Sequence, residues 1–197
     1  MTGAIPRSIS REDLASLPIL RYEGRVSLVE TPRDLEEAAA DFRQESVVGL
    51  DTETRPAFRV GESHLPCLVQ AATARAVYLF PLRHPACFEV IAGLLAEARV
   101  VKAGVALAYD LRQLQLVFPF TRENVVELDI AARRAGLEQA GVRNLAGIFL
   151  RSRIPKGNRT SNWAAPRLSP AQITYAATDA WACRELYLRF ENLGLLG

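Results

Sequence analysis

The chain is 197 residues long, 49% hydrophobic and 23% charged, with a net charge of only +2. That composition suits one domain around a single core and excludes fibrous, repeat and low-complexity classes. No apolar run approaches the ~20 residues that a membrane-spanning helix needs, and MTGAIPRSISREDL lacks the apolar core of a signal peptide, so no membrane association and a cytoplasmic location are expected.

Taken in chain order, residues 1–45 are expected to form a strand/helix extension packed on the same domain. Within it, Thr31-Pro32 predicts an N-cap and first helical residue, with the helix running to about Phe42. Ser46–Leu50 is a near-continuous apolar run, the pattern of a strand covered on both faces. Cys67–Ala72 and Ala76–Phe80 predict two more strands joined by a short turn. Helix is expected over Pro85–Ala96, a short strand over Val100–Lys102, and helix over Ala108–Val117. Val125–Leu128 predicts a strand, Ile130–Leu137 and Asn144–Leu150 predict helices, and a basic loop follows from Arg151 to Trp163. Ser169-Pro170-Ala171-Gln172 is a capping box with proline at the first helical position. Ile173, Ala176, Ala180, Cys183, Tyr187 and Phe190 then recur at helical spacing, predicting one long C-terminal helix. Hairpin strands followed by alternating strands and helices imply an α/β fold: a mixed sheet flanked by helices on both faces.

The chemistry-bearing residues are acidic. Asp51 and Glu53 are two apart on a strand, so both carboxylates point to one face while Leu50 and Thr52 point to the other. Alone, that pair reads as a charged strand end facing solvent. Asp110 falls early in a helix, where a carboxylate also complements the helix dipole. Tyr175 and Asp179 are neighbours at i and i+4 at the edge of an apolar stripe, which turns the carboxylate towards the sheet. A buried, uncompensated carboxylate is costly, so cations or other partners are expected nearby. Oxygen-only ligands favour Mg²⁺ or Mn²⁺ over zinc. Two such ions ~3.5–4 Å apart suit in-line phosphoryl displacement. Only two histidines are present, His64 and His84, both expected on the surface, and no HExxH motif exists. Three cysteines, Cys67, Cys87 and Cys183, form no CxxC and read as reduced thiols.

From Gln139 to Thr178 there is no acid, while Arg143, Arg151, Arg153, Lys156, Arg159 and Arg167 give +6, leaving −4 for the rest of the chain. A basic stretch before a carboxylate-rich motif suits a polyanion, although the charge cluster alone reads first as a solvated surface face.

From Val47 to Phe190 the sequence resembles the DEDDy branch of the 3′–5′ exonucleases, the ribonuclease D and Werner-helicase exonuclease family. The resemblance rests on VVGLDTETRP, LPCLVQAAT, VKAGVALAYDLRQL, NVVELDIAARR and SNWAAPRLSPAQITYAATDAWA in that order. It implies a ribonuclease H-like fold and a nuclease cutting from the 3′ end with two divalent cations, Mg²⁺ or Mn²⁺. It implies Asp51, Glu53 and Asp179 as direct metal ligands, Asp110 as the acid holding the second metal, and Tyr175 as the residue orienting the attacking water. Thr52, Arg151, Lys156 and Arg159 are candidate nucleic-acid contacts. Trp163 is expected to pack in the core, Gln70 and Lys102 to be structural, and Asp129 to cap a helix. The chain ends shortly after the last helix of the resemblance, so a stand-alone catalytic domain is expected, aided by its own basic surface, a homo-oligomer or an accessory protein. A single-stranded 3′ end of DNA or RNA is the expected substrate, with very short oligoribonucleotides or a catalytically silent binding module as alternatives.

Overall fold

The computed structural model describes residues 5–59, 61–157 and 160–196. Six strands form one sheet in the order β1-β4-β3-β2-β5-β6. They are β1 (Arg25–Leu28), β2 (Val47–Thr54), β3 (Pro66–Ala72), β4 (Ala76–Pro81), β5 (Val101–Gly104) and β6 (Val125–Glu127). The hairpin strands β2, β3 and β4 are antiparallel, whereas β1 joins β4, β5 joins β2 and β6 joins β5 in parallel. Seven helices lie among the described residues: α1 (Arg11–Ser16), α2 (Pro32–Phe42), α3 (Cys87–Ala96), α4 (Leu107–Leu114), α5 (Leu128–Arg134), α6 (Val142–Phe149) and α7 (Pro170–Asn192). None is long and apolar enough to cross a membrane.

The predicted capping box of Ser169 with Gln172 opens α7, and at the predicted N-cap Thr31 a second box, with Asp34, opens α2. Each supplies two otherwise orphaned backbone donors with partners and fixes the helix start. The expected strand at Ser46–Leu50 runs on to Thr54, so the acidic pair lies inside β2 rather than past its end. Leu128 is the first residue of α5 and not the last of β6, and its side chain is fully buried in a cluster with residues of α6 and α7.

Residue alternation in β2 assigns the two faces. Val48 and Leu50 pack with α2, α3 and α4 residues such as Phe42, Ile91 and Leu111. Val47 packs with α5, α6 and α7 through Leu128, Leu145 and Leu186. Helix α7 packs tightly against Gly49, where any Cβ would collide with the Ala180 carbonyl oxygen and the Arg184 backbone nitrogen. The small residue therefore lets α7 settle against β2 and carry its own side chains to the level of Asp51 and Glu53.

Candidate active site

Asp51 and Glu53 project from the α7 face of β2, as the period of two requires. From the facing helix, Asp179 completes a cluster in which one carboxylate oxygen of each residue lies within 4.8 Å of the others. Glu53 and Asp179 are buried and Asp51 half-buried. Asp51 accepts a hydrogen bond from the Thr52 backbone N–H at 2.9 Å, while Oδ1 of Asp179 has no partner among the described residues.

Asp110 reaches the same cleft by another route. It stands on α4, on the opposite face of the sheet, and its carboxyl hydrogen-bonds the Thr52 side chain rather than joining the tight cluster. Thr52, between Asp51 and Glu53 in β2, thus links the two faces: its backbone N–H donates to Asp51 and its side chain meets Asp110. Helix α4 is preceded by Ala106 at its N-cap, whose φ of 60° is left-handed and which offers no side-chain cap. The caps come from elsewhere: Glu127 accepts from the Leu107 and Ala108 N–H groups, and Asp129 from Ala106. Asp129 is a helix cap, as expected, but of α4 and not of its own helix. Glu127, which carries no motif signal of its own, holds the start of the helix that presents Asp110.

Electrostatics show how costly this gathering is. Burial pushes the Asp51 carboxyl well above the ordinary range, and repulsion from Asp179 and Asp110 adds to it. Burial raises Asp110 to about 6. Asp179 is raised as well, chiefly by burial, although the Tyr175 hydroxyl and the positive charge of Arg143 act against the shift. Burial, together with the Asp179 carboxylate, pushes the Tyr175 phenol far above its usual value, so it stays protonated and donates. The Tyr175 ring rests against Trp163, centroids 5.9 Å apart. Trp163 is only 2% exposed, so it packs in the core as expected and braces the tyrosine from behind.

The carboxylates line a cleft of about 740 Å³ that also contains Thr52, Tyr175, Arg143 and Lys156. Arg143 is held by a 2.8 Å bond from Nε to the Ile154 carbonyl. Sequence reasoning placed Arg143 in the basic stretch but not in the site; its position on the first turn of α6 is what directs it inward. Arg151 is exposed, has φ of 52°, and is not among the residues lining the cleft. Arg153 is spent on structure, its Nε bonding the Leu17 carbonyl. Arg159 lies outside the described residues. Lys102 is structural, fully buried with Nζ donating to the Glu97 carbonyl at 2.7 Å. His64 and His84 are half-buried rather than on the open surface.

Solved structures share this architecture. The EXO domain of Aedes aegypti Nibbler superposes with a TM-score of 0.76 at 22% identity, covering 91% of this chain and 99% of that one. Escherichia coli RNase D does so at 0.73 and 20%, covering 87% and 47%. The fold is thus ribonuclease H-like. The model of the 3′-5′ exonuclease domain matches residues 26–194, and the chain belongs to that family. A ribonuclease D of Gluconacetobacter diazotrophicus is 33% identical over 164 residues, covering 81% of this chain and 41% of the relative. A 3′-5′ exonuclease of Arabidopsis thaliana is 27% identical over 204 residues, covering 94% and 70%. The chain therefore spans about two fifths of that ribonuclease D and more of the plant relative.

Proposed function

We propose that this chain is a metal-dependent 3′–5′ exonuclease acting on single-stranded DNA or RNA ends, cytoplasmic, with all 197 residues in one domain. The carboxylate cluster carries the reading: three acids on two elements, brought within 4.8 Å and largely out of water. Such a cluster repels itself, and its raised proton affinities mark a site that lacks compensating positive charge. The orphaned Asp179 Oδ1 is a ready ligand atom, and an all-oxygen donor set fits Mg²⁺ or Mn²⁺. Bound there, two such ions supply Lewis-acid activation of water and neutralise charge on the attacking and leaving oxygens.

The protein's own groups do the rest. Asp51, Glu53 and Asp179 hold the cations, with Asp110 contributing from across Thr52. Tyr175, kept protonated, orients the attacking water by hydrogen bonding and does not deprotonate it. Water adds to the phosphorus of the last phosphodiester and gives up a proton to solvent, the bond to the penultimate 3′ oxygen breaks, that oxygen takes a proton from solvent, and a nucleoside 5′-monophosphate is released. Arg143 and Lys156 offer positive charge to the phosphates, and Thr52 keeps Asp110 aligned. Three unpaired cysteines, two of them buried, fit a reducing compartment.

A gel time course on 5′-labelled single-stranded DNA and RNA oligomers with Mn²⁺, Mg²⁺ or EDTA tests this. The expected result is shortening from the 3′ end that EDTA abolishes, the faster strand identifying the substrate. Salt-sensitive binding without cleavage under any metal would replace the reading with a silent binding module.

A further inference from the structure

Residues 5–22 precede the stretch matched by the family model, which begins at residue 26. They do not hang free. The Glu138 N–H donates to the Arg7 carbonyl at 2.8 Å, and the Ile9 N–H donates to the Gln139 side chain at 3.0 Å. Further along, the Arg153 N–H donates to Pro18, Leu20 donates back to Arg153, and the Tyr22 N–H reaches Thr178 Oγ1 on α7. Gly147 on α6 admits the strap: a Cβ there would lie 2.6 Å from Leu14 Cδ1 and 3.1 Å from Ile9 Cδ1. This is a segment pinned along its length to three separate parts of the exonuclease fold.

Its course is informative. Ile9, Arg11 and Leu14 line the same cleft as Asp51, Glu53, Asp110 and Asp179. Leu20 and Arg21 line a second cavity of about 300 Å³ on another flank of Tyr175. Arg11 is exposed and makes no hydrogen bond or ion pair among the described residues. Its charge is therefore available to whatever enters, and it stands on a different chain segment from Arg143 and Lys156, the other cations of the cleft.

We propose that the strap is a wall of the substrate cleft and that Arg11 contacts a backbone phosphate of the bound strand. The proposal rests on the exonuclease reading. A polyanion entering a cleft lined by four carboxylates meets repulsion, and cations on separate segments let the strand be held while its terminal phosphate approaches the acids. Arg11 supplies that charge from outside the matched domain. The contact is to phosphate, so it acts on binding of any sequence and not on base choice.

The test is steady-state cleavage of a short 5′-fluorescein-labelled single strand in Mn²⁺ at several KCl concentrations, with anisotropy of the same strand in EDTA. Arg11→Ala should raise KM about tenfold with kcat nearly unchanged, the loss expected for one charge-assisted contact. The dependence of log(kcat/KM) on log[KCl] should flatten by about 0.7, the share of one phosphate on a single strand. Arg11→Lys should restore most of that slope, and Arg33→Ala, an exposed arginine on α2 across the sheet, should leave it alone. Arg11→Gln keeps most of the stem and serves if the alanine variant folds poorly; it should lose the same slope. A wild type that cleaves, beside Arg11 variants with unchanged KM and slope, overturns the proposal and leaves the exonuclease reading intact. A wild type that neither cleaves nor binds the strand overturns both.

Discussion

Gln70 stands directly opposite Asp51 across the β2–β3 ladder, fully buried, and neither polar atom of its side chain has a partner among the described residues. Directly opposed residues point to the same face, so an unsatisfied amide shares the α7 side of the sheet with the carboxylate cluster. An unmet buried amide costs about 1–3 kcal/mol. We predict that Gln70→Leu, which removes that cost at similar volume, stabilises the metal-free protein by about that much. Urea unfolding in EDTA measures it, and a destabilised variant would show that the amide is satisfied after all.

The acids impose a similar cost. Asp179→Asn keeps the shape but removes one charge from the cluster, so stability in EDTA is expected to rise by about 1–3 kcal/mol. The same change should abolish the gain that Mn²⁺ gives the wild type, about 2.7 kcal/mol at a hundred times the dissociation constant. Thermal unfolding with and without Mn²⁺ reads both. Equal Mn²⁺ stabilisation of both proteins would remove Asp179 from the ligand set.

Turnover should separate the ligands from the tyrosine. Asp110→Ala and Asp179→Ala are expected to lower kcat by orders of magnitude. Tyr175→Phe removes one hydrogen bond and leaves the carboxylates in place, so its loss should be smaller, within about 10²–10³-fold. Circular dichroism confirms folding in each case. A phenylalanine variant as inactive as Asp179→Ala would contradict the orienting role.

Lys102 gives stability a pH signature of its own. Burial lowers its pKa from 10.5 to about 8. Between those values the unfolded chain still holds a proton that the folded chain has released, so stability from this group rises as pH climbs through the window. Below about 8 both states are charged, and the folded one bears the full burial cost. Lys102→Met should therefore flatten the rise in unfolding free energy between pH 8 and 10.5. Urea titrations at the two ends check it, and an unchanged rise would place its origin elsewhere.

Much of the site was legible because its signals are local. Alternation along β2 put Asp51 and Glu53 together, and the capping box with helical spacing put Tyr175 and Asp179 on the sheet-facing side of α7. The strap was not legible. Helix α1 is six residues long, too short for a clear period, and the bonds that hold the segment join residues about 130 positions apart, such as Ile9 and Gln139. Strand β1 was expected only as an unplaced strand within residues 1–45, since four residues at the edge of the sheet, paired with β4, carry little pattern.

By itself, then, the sequence determined the order of strands and helices from Thr31 onward, the two capped helix starts, and which acids share a face, because backbone periodicity and hydrogen-bond capping act over a few residues. Tertiary structure alone decided that Asp110 approaches from the opposite face and meets Thr52. It also decided that Glu127 and Asp129 cap a helix 19–23 residues away, that Arg143 turns into the cleft while Arg151 does not, and that Arg11 lines the same cleft as the carboxylates. These follow from how close α7 and α4 can come to β2, which Gly49 and the packing of two distinct faces govern, and no local pattern encodes that distance.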